Sequence, residues 1–250
     1  MRNERIYYFV VPMAILVAWL IVSNLRLISP LFLSTPQAVA LEILDLFATG
    51  AILPDILFTL YRTAFGFIIA CLIGIPLGLL MGYYDKIYNS LEFVVEFFRS
   101  VPATALFPLF LLSFGIGDQS KIALTAWTAS LVLIINSMYG VHLGKGLRIK
   151  AAKTMKMRGS VLFRKIIFPE ALPQIFNGMR IAISLSLVIV VVTEMFIGTN
   201  FGLGHRIIDA QLVYRIPEMY ATILITGVLG FLISKGFIYS EKRIVHWKGK

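Results

Sequence analysis

Lys145-Gly-Leu-Arg-Ile-Lys-Ala-Ala-Lys-Thr-Met-Lys-Met-Arg-Gly-Ser-Val-Leu-Phe-Arg-Lys-Ile-Ile-Phe-Pro-Glu170 is the stretch on which the reading of this chain turns. Eight positive residues stand in it (Lys145, Arg148, Lys150, Lys153, Lys156, Arg158, Arg164 and Lys165), and no acidic residue appears before Glu170. Long apolar runs flank it, at about 122–143 and 171–198. A basic segment between two runs of bilayer length marks the side on which it stays, because positive loops remain cytoplasmic. Working outward, four more apolar runs fall at about 6–25, 59–83, 88–117 and 219–240. The expected fold is an all-α integral membrane protein with about six transmembrane helices. The basic segment is then the cytoplasmic loop between spans four and five.

Composition agrees. Of 250 residues, 58% are hydrophobic and 14% charged, and the mean hydropathy is +0.85. A soluble domain carries about 45–50% apolar and about 25% charged residues. These values exclude an ordinary water-soluble enzyme, a disordered chain and a coiled coil. Six spans of about 20 residues take up roughly half the chain, leaving room for loops but not for a second sizeable domain. The net charge of +10 is mostly a topology signal. The basic residues gather at 145–165 and at Lys235, Lys242, Arg243, Lys248 and Lys250. The segments between spans one and two, three and four, and five and six hold Glu42, Asp45, Asp55, Asp118, Asp209 and Glu218 against four basic residues. Nucleic-acid binding is not expected. With an even number of spans, both termini and the 144–170 loop face the cytoplasm.

The first run follows Arg2 and Arg5, and no small-x-small cleavage pattern comes after it, so it reads as an uncleaved signal anchor. After it, Thr35 and Pro36 make an N-cap and a first helical position. The stretch containing Val39, Leu41, Ile43, Leu44, Leu46 and Phe47 is loosely amphipathic. It reads as an interfacial helix, with a docking surface for an external partner as the sharper alternative.

Gly74, Gly78 and Gly82 recur at spacing four in span two and put three small residues on one helix face. Packing within the chain and a dimer seam both fit this stripe. Arg62, Glu92, Glu96, Arg99, Arg180 and Glu194 are charges inside or at the edges of apolar runs. Each needs a partner or a wet cavity, since a charge near the bilayer centre costs at least about 2.5 kcal/mol. Glu92, Glu96 and Arg99 share one helix face, so a local ion pair accounts for them. Arg180 and Glu194 are 14 residues apart, about 21 Å along a helix, and cannot pair within it. Glu194 is a translocation-path residue or an interfacial carboxylate.

Catalytic constellations are missing. His142, His205 and His246 have no metal-ligand spacing, so no metal site is expected. Cys71 has no nearby base and reads as a small core residue. Gly140-Val-His-Leu-Gly144-Lys145 is one residue too short for a phosphate loop, and Gly146 stands where Ser or Thr is required. No cofactor is expected in this chain, and any energy for pumping must come from a partner.

Within the loop, Ile149 to Met157 has good helix propensity and a small patch at Ala151 and Ala152. Gly159 can end that helix. Val161 to Phe168 can form a second one, stopped by Pro169. Two short helices with a small-residue patch suit docking into a groove; a basic loop binding anionic lipid is the alternative. The segment resembles the loop signature of the permease subunits of binding-protein-dependent ABC importers: Glu-Ala-Ala, three residues, Gly, nine residues, Ile, one residue, Leu-Pro. Lys150-Ala151-Ala152 takes the Glu-Ala-Ala place, Lys156 the glycine place, Ile166 matches, and Phe168-Pro169 stands for Leu-Pro. Lys150 and Lys156 are departures, and a glycine follows three residues later at Gly159. Ile28-Ser-Pro-Leu-Phe-Leu33 with Pro36, Arg99-Ser-Val-Pro102, Phe114-Gly-Ile-Gly117 with Ser120-Lys121, and Gly178-Met-Arg-Ile181 are similar to the nitrate, sulfonate, taurine and bicarbonate branch.

The resemblance implies a single transmembrane domain over 1–250, with a core at about 59–240 and residues 1–58 forming the first span and the external segment. It implies a location in the bacterial inner membrane. The implied partners are a second permease copy, two cytoplasmic ATPase subunits carrying ATP and Mg, and a periplasmic or lipid-anchored substrate-binding protein. Lys150, Ala151, Ala152, Lys156, Gly159, Ile166 and Pro169 then form the ATPase-coupling segment. The branch solutes are anionic or carry an anionic group, so Arg62, Arg99 and Arg180, with Glu194, are expected along the path. A secondary transporter driven by an ion gradient is the alternative. It predicts inverted repeats and broken helices with paired charges, and it leaves the coupling-like loop unexplained.

Overall fold

The computed structural model describes residues 4–144, 152 and 154–244, and every regular element among them is helical. In chain order these are α1 (Glu4–Asn24), α2 (Pro36–Ala48), α3 (Leu53–Tyr83), α4 (Asp85–Ser100), a 3-10 turn at Ala103–Leu106, α5 (Phe107–Phe114), α6 (Asp118–Gly144), α7 (Gly159–Leu162), a π turn at Phe163–Ile167, α8 (Phe168–Phe196), α9 (Leu203–Leu212) and α10 (Ile216–Ile244). Four stretches are long and apolar enough to cross a membrane: Leu53–Tyr83, Asp118–His142, Phe163–Phe196 and Ile216–Glu241. α1 adds the shorter apolar stretch Val10–Asn24.

The third apolar run, expected as one span over 88–117, is not one helix. α4 and the helix that follows meet at 94° across a break at Val101 and Pro102, and the pair would make a fifth crossing. The cause is local. Pro102 has no amide hydrogen, and its ring forces the preceding residue out of the helical region. Val101 accordingly takes φ −78° and ψ 123°. Apolar composition continues on both sides of the break, which is why the run looks continuous in sequence.

α3, α6 and α8 form the packed centre. α3 has 31 residues, about 46 Å at 1.5 Å per residue, against about 30 Å of hydrocarbon. Its first turns, with Asp55, Thr59 and Arg62, therefore belong to one end of the span, called the outer end here because the distribution of basic residues predicts that it faces outward. The glycine stripe is closed by α6 of the same chain. A Cβ on Gly78 would stand 2.3 Å from the Ile134 carbonyl oxygen, which only a missing side chain permits. Gly74 meets Ser130 and Leu133, and Gly82 meets Met138 and Val141. On its other side α6 receives α8, with Gly140 against Ala171 and Gly178 against Asn136.

The basic loop differs from its expected form. Residues 145–151 and 153, which include Lys150 and Ala151, lie outside the described residues. Helix ends by Thr154, and Met155 and Lys156 form a turn. Gly159 begins a helix where the sequence suggested it ends one, and Pro169 does not stop the chain: helical structure runs on from Gly159 to Phe196. The π turn makes this possible. The Phe168 amide donates to the Phe163 carbonyl, five residues back, so the helix has already changed register where Pro169, in the first turn of α8, has no amide to offer.

The outer end carries α2 and the unexpected α9. Thr35 Oγ1 accepts from the Ala38 amide at 3.3 Å and Pro36 opens α2. Val39 and Leu46 pack with Ile52, Leu203, Ala221 and Ile225, while Leu41 and Leu44 stay exposed. α1 meets this end through Trp19, whose Nε1 donates to the Ser34 carbonyl at 2.9 Å and whose ring lies 6.1 Å from that of Tyr220.

Candidate functional site

Charged residues collect in two places among α3, α4, α6 and α8, with opposite characters. The first is the outer end. Glu194, in the last turn of α8, accepts from Arg62 Nη1 at 2.6 Å, from the Thr59 hydroxyl at 2.9 Å and from the Gly204 amide at 3.0 Å. Arg62 also donates from Nε to Asp118 at 2.8 Å, from Nη1 to the Phe201 carbonyl at 2.8 Å and from Nη2 to Thr199 Oγ1 at 2.9 Å. Its guanidinium lies 5.3 Å from the centroid of the Phe58 ring. Arg62 is 2% exposed and Glu194 1%. Lys121, fully buried, donates to the Gly117 and Gly198 carbonyls at 3.2 and 3.3 Å, tying the start of α6 to the end of α8.

The loop closing this network depends on glycine. Gly202 has φ +147°, and a Cβ there would sit 2.5 Å from Glu194 Cδ. A second set of ions continues from it. Asp55 accepts from the Gly202 amide at 2.8 Å and from Arg206 Nε at 2.6 Å. Arg206 Nη1 reaches Glu218 at 2.7 Å, and Arg215 joins the same carboxylate at 3.3 Å. Burial works against the charge on Arg206, but its bonds to Asp55 and Glu218 outweigh burial and raise its pKa. The Arg62–Glu194 centre of this network is dry and fully paired and holds helices together; a passing solute could bind Arg62 only by breaking it.

The second place is half open and lies deeper. Arg99 Nη2 donates to Glu96 at 2.5 Å, with the two side chains 56% and 48% exposed. Arg99 lines a cavity of about 110 Å³ with Val101, Ala103, Trp127, Thr128 and Leu185. On α6, Trp127 and Thr128 stand about 14 Å below Asp118 at 1.5 Å per residue, near half depth. Arg180, half-buried on α8, donates to Asn177 Oδ1 at 3.2 Å. One turn earlier Gln174 Nε2 donates to Asn136 Oδ1 at 3.3 Å.

The four charged residues expected along a path are therefore divided. Arg62 and Glu194 are brought together and sealed, whereas Arg99 and Arg180 keep open flanks. Sequence reasoning counted Asp55, Asp118, Arg206 and Glu218 as loop charges, quoted Lys121 within a family-like motif, and passed over Thr59. Their common signal is position, since each lies within a few turns of an outer helix end.

At the inner end an apolar cluster holds the basic segment against the helices. Leu79, Val141, Ala152, Leu162, Ile167, Ala171 and Ile175 are its buried members, with Tyr83, Met157 and Ile166 packed on it. Ala152 is 3% exposed, so its small side chain fits the chain's own interior and is not presented to a partner. Met155 is 78% exposed. Lys156, at the signature's glycine place, has φ +54°. This is a left-handed conformation, which glycine adopts at no steric cost and other residues rarely do. Gly159 faces the Tyr83 hydroxyl, 3.4 Å from where its Cβ would be. Among the described residues no group of three or more His, Cys, Asp or Glu side chains is placed to hold a metal ion.

One discriminator set against the ion-gradient alternative loses its force, because a broken helix with a charge pair is present at Arg99 and Glu96. Likeness to known proteins decides instead. Residues 74–245 match the family model described as binding-protein-dependent transport system inner membrane component. The taurine transport system permease protein TauC of Escherichia coli is 30% identical over 94% of this chain and 87% of its own length. The nitrate import permease protein NrtB of Synechocystis is 32% identical over 75% of this chain and 68% of its own. In fold, the chain is similar to a chain of the MetNI methionine ABC transporter solved in inward-facing conformations, with a TM-score of 0.66 at 21% identity, covering 78% of this chain and 95% of that one.

Proposed function

The chain belongs to the family of binding-protein-dependent transport system inner membrane components, and on that premise we propose that it works as one of two identical permease subunits importing a small anion or sulfonate-like solute. It is a multi-pass permease subunit of an ABC importer of the nitrate, sulfonate and taurine type. In the proposed assembly two cytoplasmic ATPase subunits carry ATP and Mg, and a periplasmic or lipid-anchored binding protein delivers the solute from outside. The complex sits in the bacterial inner membrane with the basic segment and both termini in the cytoplasm. ATP binding and hydrolysis shift the paired permeases between inward-open and outward-open states.

The observation that carries the coupling reading is the shape of the inner end. Met155 stands beside the left-handed Lys156 and is largely exposed, while the adjoining Ala152 and Met157 belong to the cluster that touches α3, α6 and α8. A force applied at the turn acts directly on three membrane helices. Among the described residues, Thr154, Lys156, Arg158 and Gly159 are also exposed beside Met155.

The test is Met155→Glu in a complex reconstituted with its ATPase and binding protein. Insertion should be normal, while ATPase copurification and binding-protein-stimulated hydrolysis fall by roughly tenfold, the cost of burying an unpaired charge in an apolar contact. Unchanged copurification and hydrolysis would reject Met155 as the docking residue. Ala152→Glu should act differently and lower the yield of folded chain.

A further inference from the structure

By its place in the sequence Lys235 belongs with the basic tail, yet the structure sets it deep in the membrane-spanning part of α10. Glu194 and Asp118 both bond Arg62, so they mark one level. A Cβ on Gly230 would lie 3.2 Å from the Leu187 side chain, and Leu187 is about 10 Å inward of Glu194 along α8. Lys235, five residues beyond Gly230, is then about 18 Å inward of the Arg62 level, close to the half depth of Trp127 and Thr128. Its ammonium is exposed, lies 5.3 Å from the centroid of the Phe231 ring and meets no carboxylate among the described residues. A ring face does not repay the cost of a cation facing hydrocarbon at that depth. This side of α10 is therefore turned to water or to protein.

Phe231, Lys235, Tyr239 and Arg243 recur every fourth residue on it, and all are exposed. Ile225, Leu229, Ile233 and Phe237 hold the opposite side against the rest of the chain. The Arg243 guanidinium folds back over the Tyr239 ring at 4.5 Å, one turn inward of Lys235. Exposed charge of the other sign lies on α4, where Glu92 and Glu96 are one turn apart beside the exposed Phe93 and Phe97. α4 climbs outward along α6: the Tyr88 ring lies 5.6 Å from that of His142, and Phe98 meets Trp127 edge-on at 5.1 Å. Trp127 is about 14 Å inward of Asp118, so Glu96, two residues inward of Phe98, stands about 17 Å inward of the Arg62 level.

Lys235 and Glu96 thus share a depth, and one turn further in so do the Arg243 guanidinium and Glu92. Within one chain they cannot meet. α4 rests on α3 and α6 while α10 rests on α2, α8 and α9, and no ion pair joins α4 to α10 among the described residues. Arg99 engages one oxygen of Glu96, and a carboxylate has room for a second cation. We propose that α4 of one chain packs against α10 of a second copy, with Glu96 opposite Lys235 and Glu92 opposite the Arg243 guanidinium. A twofold axis makes this contact twice, each α4 meeting the other chain's α10. The pair supplies the counter-charges that a single chain lacks at mid-depth, and the aromatic and aliphatic side chains between them supply the close packing on which membrane helices associate. This rests on the paired-permease reading and names the surface through which the pair forms.

Disulfide trapping tests it. In a Cys71→Ala background, Phe97→Cys and Leu232→Cys are placed in one chain, and the purified permease–ATPase complex is oxidised with copper phenanthroline, without nucleotide and with ATP and vanadate. The double-cysteine chain should run as a covalent dimer in at least one of these states, and either single-cysteine chain should crosslink several-fold less. Lys235→Glu should cut the dimer yield roughly tenfold, and adding Glu96→Lys should restore most of it, because the reversed charges pair again. If Lys235→Glu does not assemble, Lys235→Gln should lower the yield several-fold. Monomer in both states would overturn the assignment, as would a single cysteine that crosslinks as well as the pair, or a yield indifferent to the charge at Lys235. The mass of the intact complex keeps the two readings apart. Two permease copies without an α4–α10 crosslink reject this surface alone, whereas a single copy, or no bound ATPase, rejects the paired importer itself.

Discussion

Arg62–Glu194 and Arg99–Glu96 are two arginine–glutamate pairs in apolar segments of this chain, and they are nearly identical in length. Arg62 meets Glu194 at 2.6 Å and Arg99 meets Glu96 at 2.5 Å. The first joins residues 132 positions apart and is closed from solvent; the second joins residues three apart on one helix and stands half exposed. Distance therefore says little about purpose. Around Arg62 three other polar groups, Asp118, the Phe201 carbonyl and Thr199, complete the coordination, so removing one partner strands charge in a dry interior. Around Arg99 one carboxylate is engaged and the remaining space is open. A sealed pair fastens helices, and an open one is available to a further partner.

The sharpest way to break this contrast is Arg62→Met. It leaves Glu194 and Asp118 without their cation, and removing one member of a buried pair costs about 3–5 kcal/mol. The expected result is a large loss of folded, detergent-stable protein, measured by thermal unfolding on size exclusion. A variant as stable as the parent would show that the network carries no structural load. The double variant Arg62→Met with Glu194→Gln should recover part of the loss, because both charges then leave together.

Gly202→Ala probes the same network through the backbone. Its φ of +147° and the 2.5 Å approach of Glu194 leave no place for a methyl group. Destabilisation of about 1–3 kcal/mol is expected from strain at such a site, read by the same assay. An unchanged melting point would mean that the loop relaxes away from Glu194 at no cost.

Lys156→Gly gives the smallest effect, in the opposite direction. Relieving a left-handed non-glycine residue should stabilise by up to about 1 kcal/mol, offset by the greater freedom of the unfolded chain. Hydrolysis and transport should persist, since the turn is kept. Destabilisation beyond that range would show that the lysine side chain holds the turn.

Sequence made the helical membrane architecture plain, because apolar runs of bilayer length have few other uses. It also exposed the Glu96–Arg99 pair, since residues three apart share a helix face whatever the tertiary structure. The break at Pro102 escaped because its neighbours are apolar on both sides; the proline was visible, but a helix packed among others can absorb one, as α3 does at Pro76. α9 escaped because Leu203–Leu212 mixes Arg206, His205 and Asp209 with its apolar residues and looks like a loop. The Arg62–Glu194 contact had no local signal. Both were recognisable as costly charges, but only the approach of α3 to the end of α8 makes each the other's partner. Ala152 taught the reverse: a small residue in a basic loop suggested an outward docking patch, yet smallness there serves inward packing.

Helical structure running unbroken from Gly159 to Phe196 makes α7, the π turn and α8 a single rod more than 50 Å long at 1.5 Å per residue. One end bears the exposed turn at Met155 and the other bears Glu194. A tilt of about 5° about its midpoint moves each end by about 2 Å, more than the slack in hydrogen bonds that fail beyond about 3.5 Å. The π turn, near the inner end, interrupts the α register along that length, and Pro173 removes a further amide from it. A stiff shaft with compliance at the driven end and a brittle latch at the other converts a gradual push into an abrupt release.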